Sequence, residues 1–392
     1  MNFDEVIDRR NTGSMKWNFA PGPLDPGQCI IPLSVADMEF RSPGSIRERL
    51  KELAQEGVWG YTGPRDQYYE AVNRWYSLRH DFPVKKEWIV TTTGVVQAVY
   101  SAVRAFTEPG DKILIQTPVY YPFFRAIEQN ERELLTNQLI IRDGRYQIDF
   151  DDFGKKMKEA RLFILCSPHN PVSRVWDREE LDKIAQIAAA LDVFVISDEI
   201  HCDFTFKRRH TGFSQVARLH GTRHLVALSA SKTFSLAGLN LASILVEDPG
   251  HREAFSCRVR TDGVSTHSTF GFAAAEASYT QCDEWYEAML AYIYNNFLAL
   301  KTFVEARMPE ITVFDLEGTY LAWLDFGAVC NDHQILEQHM IDQQLYLDEG
   351  YIFGEGGQGF ERINLACPRK VLLAALERLN KVYDHLKARR NQ

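Results

Sequence analysis

The chain has 392 residues, with 44 Lys and Arg against 53 Asp and Glu, giving a formal net charge of −9. Hydrophobic residues make up 45% and charged residues 25%, an ordinary globular composition in a length that suits two domains, or three, better than one core. The acidic balance excludes a protein whose main task is to grip nucleic acid or an anionic membrane, because both need a basic face.

In chain order, Met1 to Arg10 is charged and lacks an apolar core, so it does not read as a secretory signal. No run of eighteen apolar residues suggests a membrane span. Seven cysteines, Cys29, Cys166, Cys202, Cys257, Cys282, Cys330 and Cys367, are scattered without a Cys-x-x-Cys pair. That argues against a disulfide framework and a structural zinc, and points to a reducing cytoplasm. Residues 1–45 are rich in Pro and Gly and show little periodicity.

From about residue 88 to 246 short apolar runs alternate with helical patterns. Strands are predicted at Trp88–Thr92, Lys112–Gln116, Leu162–Cys166, Val193–Ser197, Leu225–Leu228 and Ala242–Val246. They lack polar alternation, as strands buried on both faces do. Helices are predicted at Val96–Phe106 and Arg178–Ala190. This alternation means an α/β fold, a mostly parallel sheet flanked by helices. After about residue 290 come a long helix, short strands at Thr312–Phe314 and Tyr320–Asp325, and a final helix. In that helix Leu372, Leu376, Leu379, Tyr383 and Leu386 share one face. The predicted organisation is a large domain over 46–290 and a smaller α+β domain from 1–45 plus 291–392.

Ligands in open α/β sheets bind beyond the carboxyl ends of the strands. Those ends carry Gly94-Val95-Val96, Pro118-Val119-Tyr120, His169-Asn170-Pro171, Asp198-Glu199-Ile200-His201 and Ser229-Ala230-Ser231-Lys232. Singly each has a bland reading: a turn, a loop, a helix cap, a surface charge. Together they place an anion-binding helix start, an aromatic ring, an amide, a carboxylate and a lysine around one crevice. That set suits a phosphorylated aromatic aldehyde, namely pyridoxal 5′-phosphate. Lys232 would bond to the aldehyde and shuttle protons at the substrate α-carbon. Asp198 would keep the ring nitrogen protonated, Asn170 would bind the ring hydroxyl, and Tyr120 would stack on the ring. Gly94, Val95 and Val96 amides would hold the phosphate with the Ser229 hydroxyl.

In this order of motifs the chain resembles fold-type-I pyridoxal-phosphate enzymes of the aspartate aminotransferase superfamily, over nearly its whole length. The resemblance implies that Tyr61, in Gly60-Tyr61-Thr62-Gly63-Pro64, reaches the phosphate of a partner subunit, hence a homodimer. It also implies that Arg362 binds the substrate α-carboxylate. Ser34-Val35-Ala36-Asp37-Met38-Glu39-Phe40, Ser197-Asp198-Glu199-Ile200-His201 and Arg362-Ile363-Asn364-Leu365-Ala366-Cys367-Pro368 resemble a narrower branch, the MalY/PatB-type cystathionine β-lyases. That branch places Ala36 beside the substrate and His201 beside the cofactor. His201 stands where aminotransferases usually carry Tyr, and Asn240 where they usually carry a phosphate-binding Arg. Ser173 departs from the branch itself, where Gly is expected.

The implied activity is β-elimination from cystathionine, cysteine or another cysteine S-conjugate, a small amino-acid substrate, giving a thiol, ammonia and pyruvate. An aminotransferase and a regulator that docks on another protein remain alternatives. Gly354-x-Gly356-x-x-Gly359 matches a dinucleotide fingerprint, but the segment after it reads as a strand, so a mobile loop near the site is expected instead. Cys166, Cys202 and Cys367 read as buried apolar residues rather than nucleophiles.

Overall fold

The computed structural model describes residues 1–18 and 30–390; Cys29 lies outside them. The central sheet has seven strands in the spatial order Ile89–Thr92, Ala242–Leu245, His224–Leu228, Phe194–Asp198, Leu162–Cys166, Lys112–Thr117 and Glu133–Gln138. Neighbours from His224–Leu228 to Glu133–Gln138 pair in parallel. Ala242–Leu245 runs antiparallel to both of its neighbours. The six predicted strands are present within a residue or two. The seventh, Glu133–Gln138, is an edge strand of largely polar sequence, which hid it from a search for apolar runs.

Alternation along the strands builds two cores. Ile113, Ile115, Ile164 and Ile196 face Val99, Val103 and Phe255 on one side. Leu114, Phe163 and Val195 face Trp176, Leu181 and Ile184 on the other. Two of the flanking helices are Val95–Phe106 and Arg178–Ala190, as predicted to within one residue. The second starts at a capping position: the Asp177 N–H donates to Glu180 Oε2 at 2.7 Å, which satisfies an amide that the helix cannot.

A second, antiparallel sheet joins Thr312–Val313, Leu321–Asp325, Phe360–Asn364 and Asp348–Glu349. The long helix before it begins at Asp283 and ends at Arg307. The final helix, Arg369–Arg390, buries Leu372, Leu376, Leu379, Tyr383 and Leu386. Each such side chain contributes roughly 1.5–3 kcal/mol relative to exposure. Ile31–Pro32 pairs in parallel with Leu345–Tyr346, which brings residues 34–39 against the second sheet. Among the described residues no helix is long and apolar enough to cross a membrane. The six described cysteines are free thiols.

Candidate active site

A cavity of about 300 Å³ opens at the carboxyl ends of the central strands. Gly94, Val95, Val96, Tyr120, Asn170, Asp198, His201, Lys232 and Ala36 all line it. On one wall the helix Val95–Phe106 points its first turn inward, and amides there have no partner within the helix. They form the positive end of the helix dipole, a place for an anion.

Asp198 closes its strand and is buried. Its Oδ1 accepts the Ile200 N–H at 3.1 Å. Burial pushes its carboxyl up to about 7, opposed by that N–H and by the charge of Lys232. Lys232 lies on the short helix Ala230–Thr233. Its Nζ donates to the Ala36 carbonyl at 2.6 Å. Burial pulls Lys232 down to about 8, and the Arg362 charge pulls the same way, while Asp37 and Asp198 oppose them. An acid and an amine are thus brought toward neutrality by the same desolvation. His201 is buried with Nδ1 unpartnered, and burial holds it well below the usual histidine range, so it is neutral. Burial also keeps the Tyr120 phenol protonated.

Arg362 sits behind Asn170. Its Nη1 donates to Asn170 Oδ1 at 2.9 Å and its Nη2 to the Ser34 carbonyl at 3.4 Å. It is ion-paired with Asp348 on the neighbouring strand and lies 4.9 Å from the Phe353 ring centroid. Burial brings its guanidinium down to about 10, still fully charged at neutral pH.

Three expected residues do not line the cavity: Arg362, which lies behind Asn170, Ser229 and Tyr61. The Ser229 hydroxyl does not line the cavity: it donates to the Leu241 carbonyl at 2.7 Å and accepts the Ser231 N–H at 3.1 Å, capping the lysine helix. Ser231, two residues on, faces the cavity instead. A serine one residue before a helix is a capping signal, so the sequence contained the clue. Tyr61 is 96% exposed and takes no part in the cavity of its own chain. Residues that sequence reading did not single out also line the cavity, among them Thr93, Gln97, Ile200 and Leu241. Asn240, noted only as a departure, lines it too, at φ +52°.

Ser173, where Gly is expected, adopts φ +58°, the left-handed region that favours glycine. Its hydroxyl donates to the Leu321 carbonyl, and its own carbonyl accepts the Gly318 N–H at 2.9 Å. The glycines 354, 356 and 359 have φ of +90°, +84° and +81° and lead into the strand Phe360–Asn364, so no helix follows for a dinucleotide. Rather than a loose loop, the turn is packed: a Cβ on Gly354 would lie 2.6 Å from the Phe124 ring, and the Val119 N–H donates to the Phe353 carbonyl at 2.9 Å. Cys166 lines the cavity, but burial raises its thiol and those of Cys202 and Cys367. All three stay protonated and unreactive.

One buried cluster lies beside the site. His80, Cys202 and Asp203 bring ligand-type atoms within 4.8 Å of one another. Asp203 is already saturated by donors: Trp75 Nε1 at 3.0 Å, His80 Nε2 at 2.8 Å and Thr233 Oγ1 at 2.5 Å. Through Thr233 it anchors the helix that carries Lys232.

Comparison with known proteins agrees with this geometry. A family model described as aminotransferase class I and II matches residues 29–379. Cystathionine beta-lyase PatB of Bacillus subtilis is 37% identical over 383 residues, covering 97% of this chain and 99% of the relative. The structure of cystalysin from Treponema denticola, which contains pyridoxal 5′-phosphate, superposes with a TM-score of 0.95 at 42% identity, covering 98% of this chain and 99% of that one. A pyridoxal-phosphate-bound C–S lyase from Staphylococcus hominis gives a TM-score of 0.90 at 31% identity, covering 98% and 99%.

Proposed function

This chain belongs to the aminotransferase class I and II family, and from that premise we propose that it is a pyridoxal 5′-phosphate-dependent carbon–sulfur β-lyase. Its substrates are L-cystathionine, cysteine or related cysteine S-conjugates, and its products a thiol, ammonia and pyruvate. The likeness to proteins named as lyases supports the reaction type. The observation that carries the reading is the convergence of Lys232, Asp198, Asn170, Tyr120 and a helix N-terminus on one cavity.

The donor set fits the cofactor. A buried carboxyl brought to about 7 suits a ring nitrogen that must share its proton. The first-turn amides at Val95 and Val96, with Ser231 nearby, suit a phosphate. Asn170 would meet the ring hydroxyl and Tyr120 the ring face. Bound there, the cofactor supplies an electron sink for the pair left when the substrate α-carbon loses its proton.

The chain's residues do the rest. Lys232 Nζ takes the α-proton and is placed to return a proton to the departing sulfur. With its ion pair to Asp348 exchanged for the substrate, Arg362 would grip the α-carboxylate with a forked pair of hydrogen bonds, fixing the Cα–H bond toward Lys232. Ala36 and the neutral His201 form walls around the reacting carbon and exclude water. Tyr61, exposed in one chain, reaches the phosphate of a second copy, so the working form is a homodimer. We place it in the cytoplasm, with a large domain over 46–290 and a small one from 1–45 plus 291–392. The pairing of Ile31–Pro32 with Leu345–Tyr346 supports joining the two termini in that small domain.

The deciding assay incubates purified, cofactor-loaded protein with L-cystathionine and measures pyruvate and free thiol, with amino-group transfer to a 2-oxo acid followed in parallel. Stoichiometric pyruvate and thiol are expected. Efficient transfer without pyruvate from any cysteine thioether would replace the lyase with an aminotransferase.

A further inference from the structure

The Ala36 carbonyl accepts two hydrogen bonds. One comes from Lys232 Nζ at 2.6 Å and the other from Tyr320 Oη at 2.7 Å. Tyr320 is fully buried and lies outside the cavity lining. Its ring is confined by Phe204, with centroids 4.8 Å apart, and by His201 at 5.6 Å. Burial keeps its phenol protonated, so it can only donate to that carbonyl.

The peptides on either side are held as well. Asn364 Nδ2 donates to the Val35 carbonyl at 2.9 Å and to the Asp37 carbonyl at 2.8 Å. The buried Lys16 Nζ also reaches the Asp37 carbonyl, at 2.8 Å. A segment with no regular secondary structure is therefore pinned carbonyl by carbonyl, and the central carbonyl faces the amine of Lys232. A backbone oxygen held this firmly is a preorganised acceptor. A loose one would let the long lysine side chain sample rotamers that do not point at the substrate.

We propose that Tyr320 is a positioning residue: it fixes the Ala36 carbonyl as the docking point for the Lys232 amino group whenever that group is free. The inference rests on Lys232 being the base of the lyase reading. It adds a residue that acts only through the backbone of another segment.

The test uses cofactor-free protein, in which Lys232 is a free amine. Reductive methylation with formaldehyde and cyanoborohydride is run across pH, and the Lys232 peptide is quantified by mass spectrometry. A carbonyl that holds an ammonium favours its charged form, so Tyr320→Phe should lower the pH midpoint of Lys232 labelling by at least about half a unit. The charges around the amine, Arg362, Asp37, Asp198 and Lys16, are the same in both proteins. Tyr286→Phe is the control, since its hydroxyl donates to the Asp203 carbonyl at 2.6 Å and not to Ala36; it should leave the midpoint in place. In cofactor-loaded protein Tyr320→Phe should lower kcat about tenfold with KM unchanged. Asn364→Ala, which releases the flanking carbonyls, carries the same expectation if Tyr320→Phe does not fold. A midpoint that stays or rises in a folded variant overturns the proposal. Absence of pyruvate from the unaltered protein would remove the lyase reading and leave the labelling result to stand by itself.

Discussion

Two regions meet at the cavity, and they are built by different rules. The first is the row of strand ends that carries Tyr120, Asn170, Asp198 and Lys232. There each group sits at the end of a strand or within four residues of it, and the sheet sets the spacing. The second comprises residues 34–39, Tyr320, Arg362 and Asn364. There side chains from distant segments hold backbone carbonyls that have no sheet of their own. In the proposed reaction the first region supplies chemistry and the second supplies aim. Loss from the first should therefore appear as a large fall in kcat; loss from the second should appear in KM at Arg362, which holds the substrate, and as a smaller fall in kcat at Tyr320 and Asn364, which aim Lys232.

The largest effect tests the first region at its centre. Lys232→Ala should reduce pyruvate release by at least about a thousandfold, because among the described residues no other amine lines the cavity. Borohydride treatment of the unaltered protein should fix the cofactor to the Lys232 peptide, and a label mapped elsewhere would break the assignment. Asp198→Asn comes next, with an expected loss in kcat of roughly a hundredfold, or about 3 kcal/mol of barrier. A near-normal rate in a folded, cofactor-loaded variant would count against its role.

Arg362→Lys probes the second region. Lys cannot reproduce the fork, so KM for cystathionine should rise at least about tenfold while cofactor content stays the same. An unchanged KM would move the carboxylate anchor elsewhere.

The smallest effect lies on the neighbouring rung, where Glu361 faces Glu349 across the strand pair. Burial holds the Glu361 carboxyl well above the ordinary range, and Glu349 and Glu337 push the same way. The folded protein therefore binds this proton more tightly than the unfolded chain does. Its contribution to stability is complete below the unfolded value and falls as pH rises toward the folded one. Glu361→Gln should raise Tm at pH 8 by about 2 °C and leave it nearly unchanged at pH 4. Equal shifts at both pH values would show a packing effect rather than a titration.

The same contrast explains what could be read in advance. Apolar runs disclosed the interior strands, and the residues following them disclosed which side chains gather at the cavity, because local order determines both. Glu133–Gln138 escaped notice because an edge strand exposes polar side chains. Ser229 was assigned to the cavity because a side-chain direction at a helix cap depends on one hydrogen bond. Tyr320 carried no signal at all: its target lies 284 positions away, on a carbonyl that every residue possesses. Arg362 was reachable only through family resemblance, since a buried arginine and an edge arginine look alike in sequence.

Ser173 has a mechanical consequence. Its hydroxyl ties the loop that carries Asn170 to the start of the strand that follows Tyr320, and the Gly318 amide ties it a second time. The left-handed backbone that glycine would adopt freely is here loaded with a side chain that costs about 1 kcal/mol in strain and gains a bond of similar size. The loop and the second sheet are therefore riveted together. Displacing the Asn170 loop relative to the segment around Tyr320 would have to break both bonds, so the two regions around the cavity are mechanically coupled.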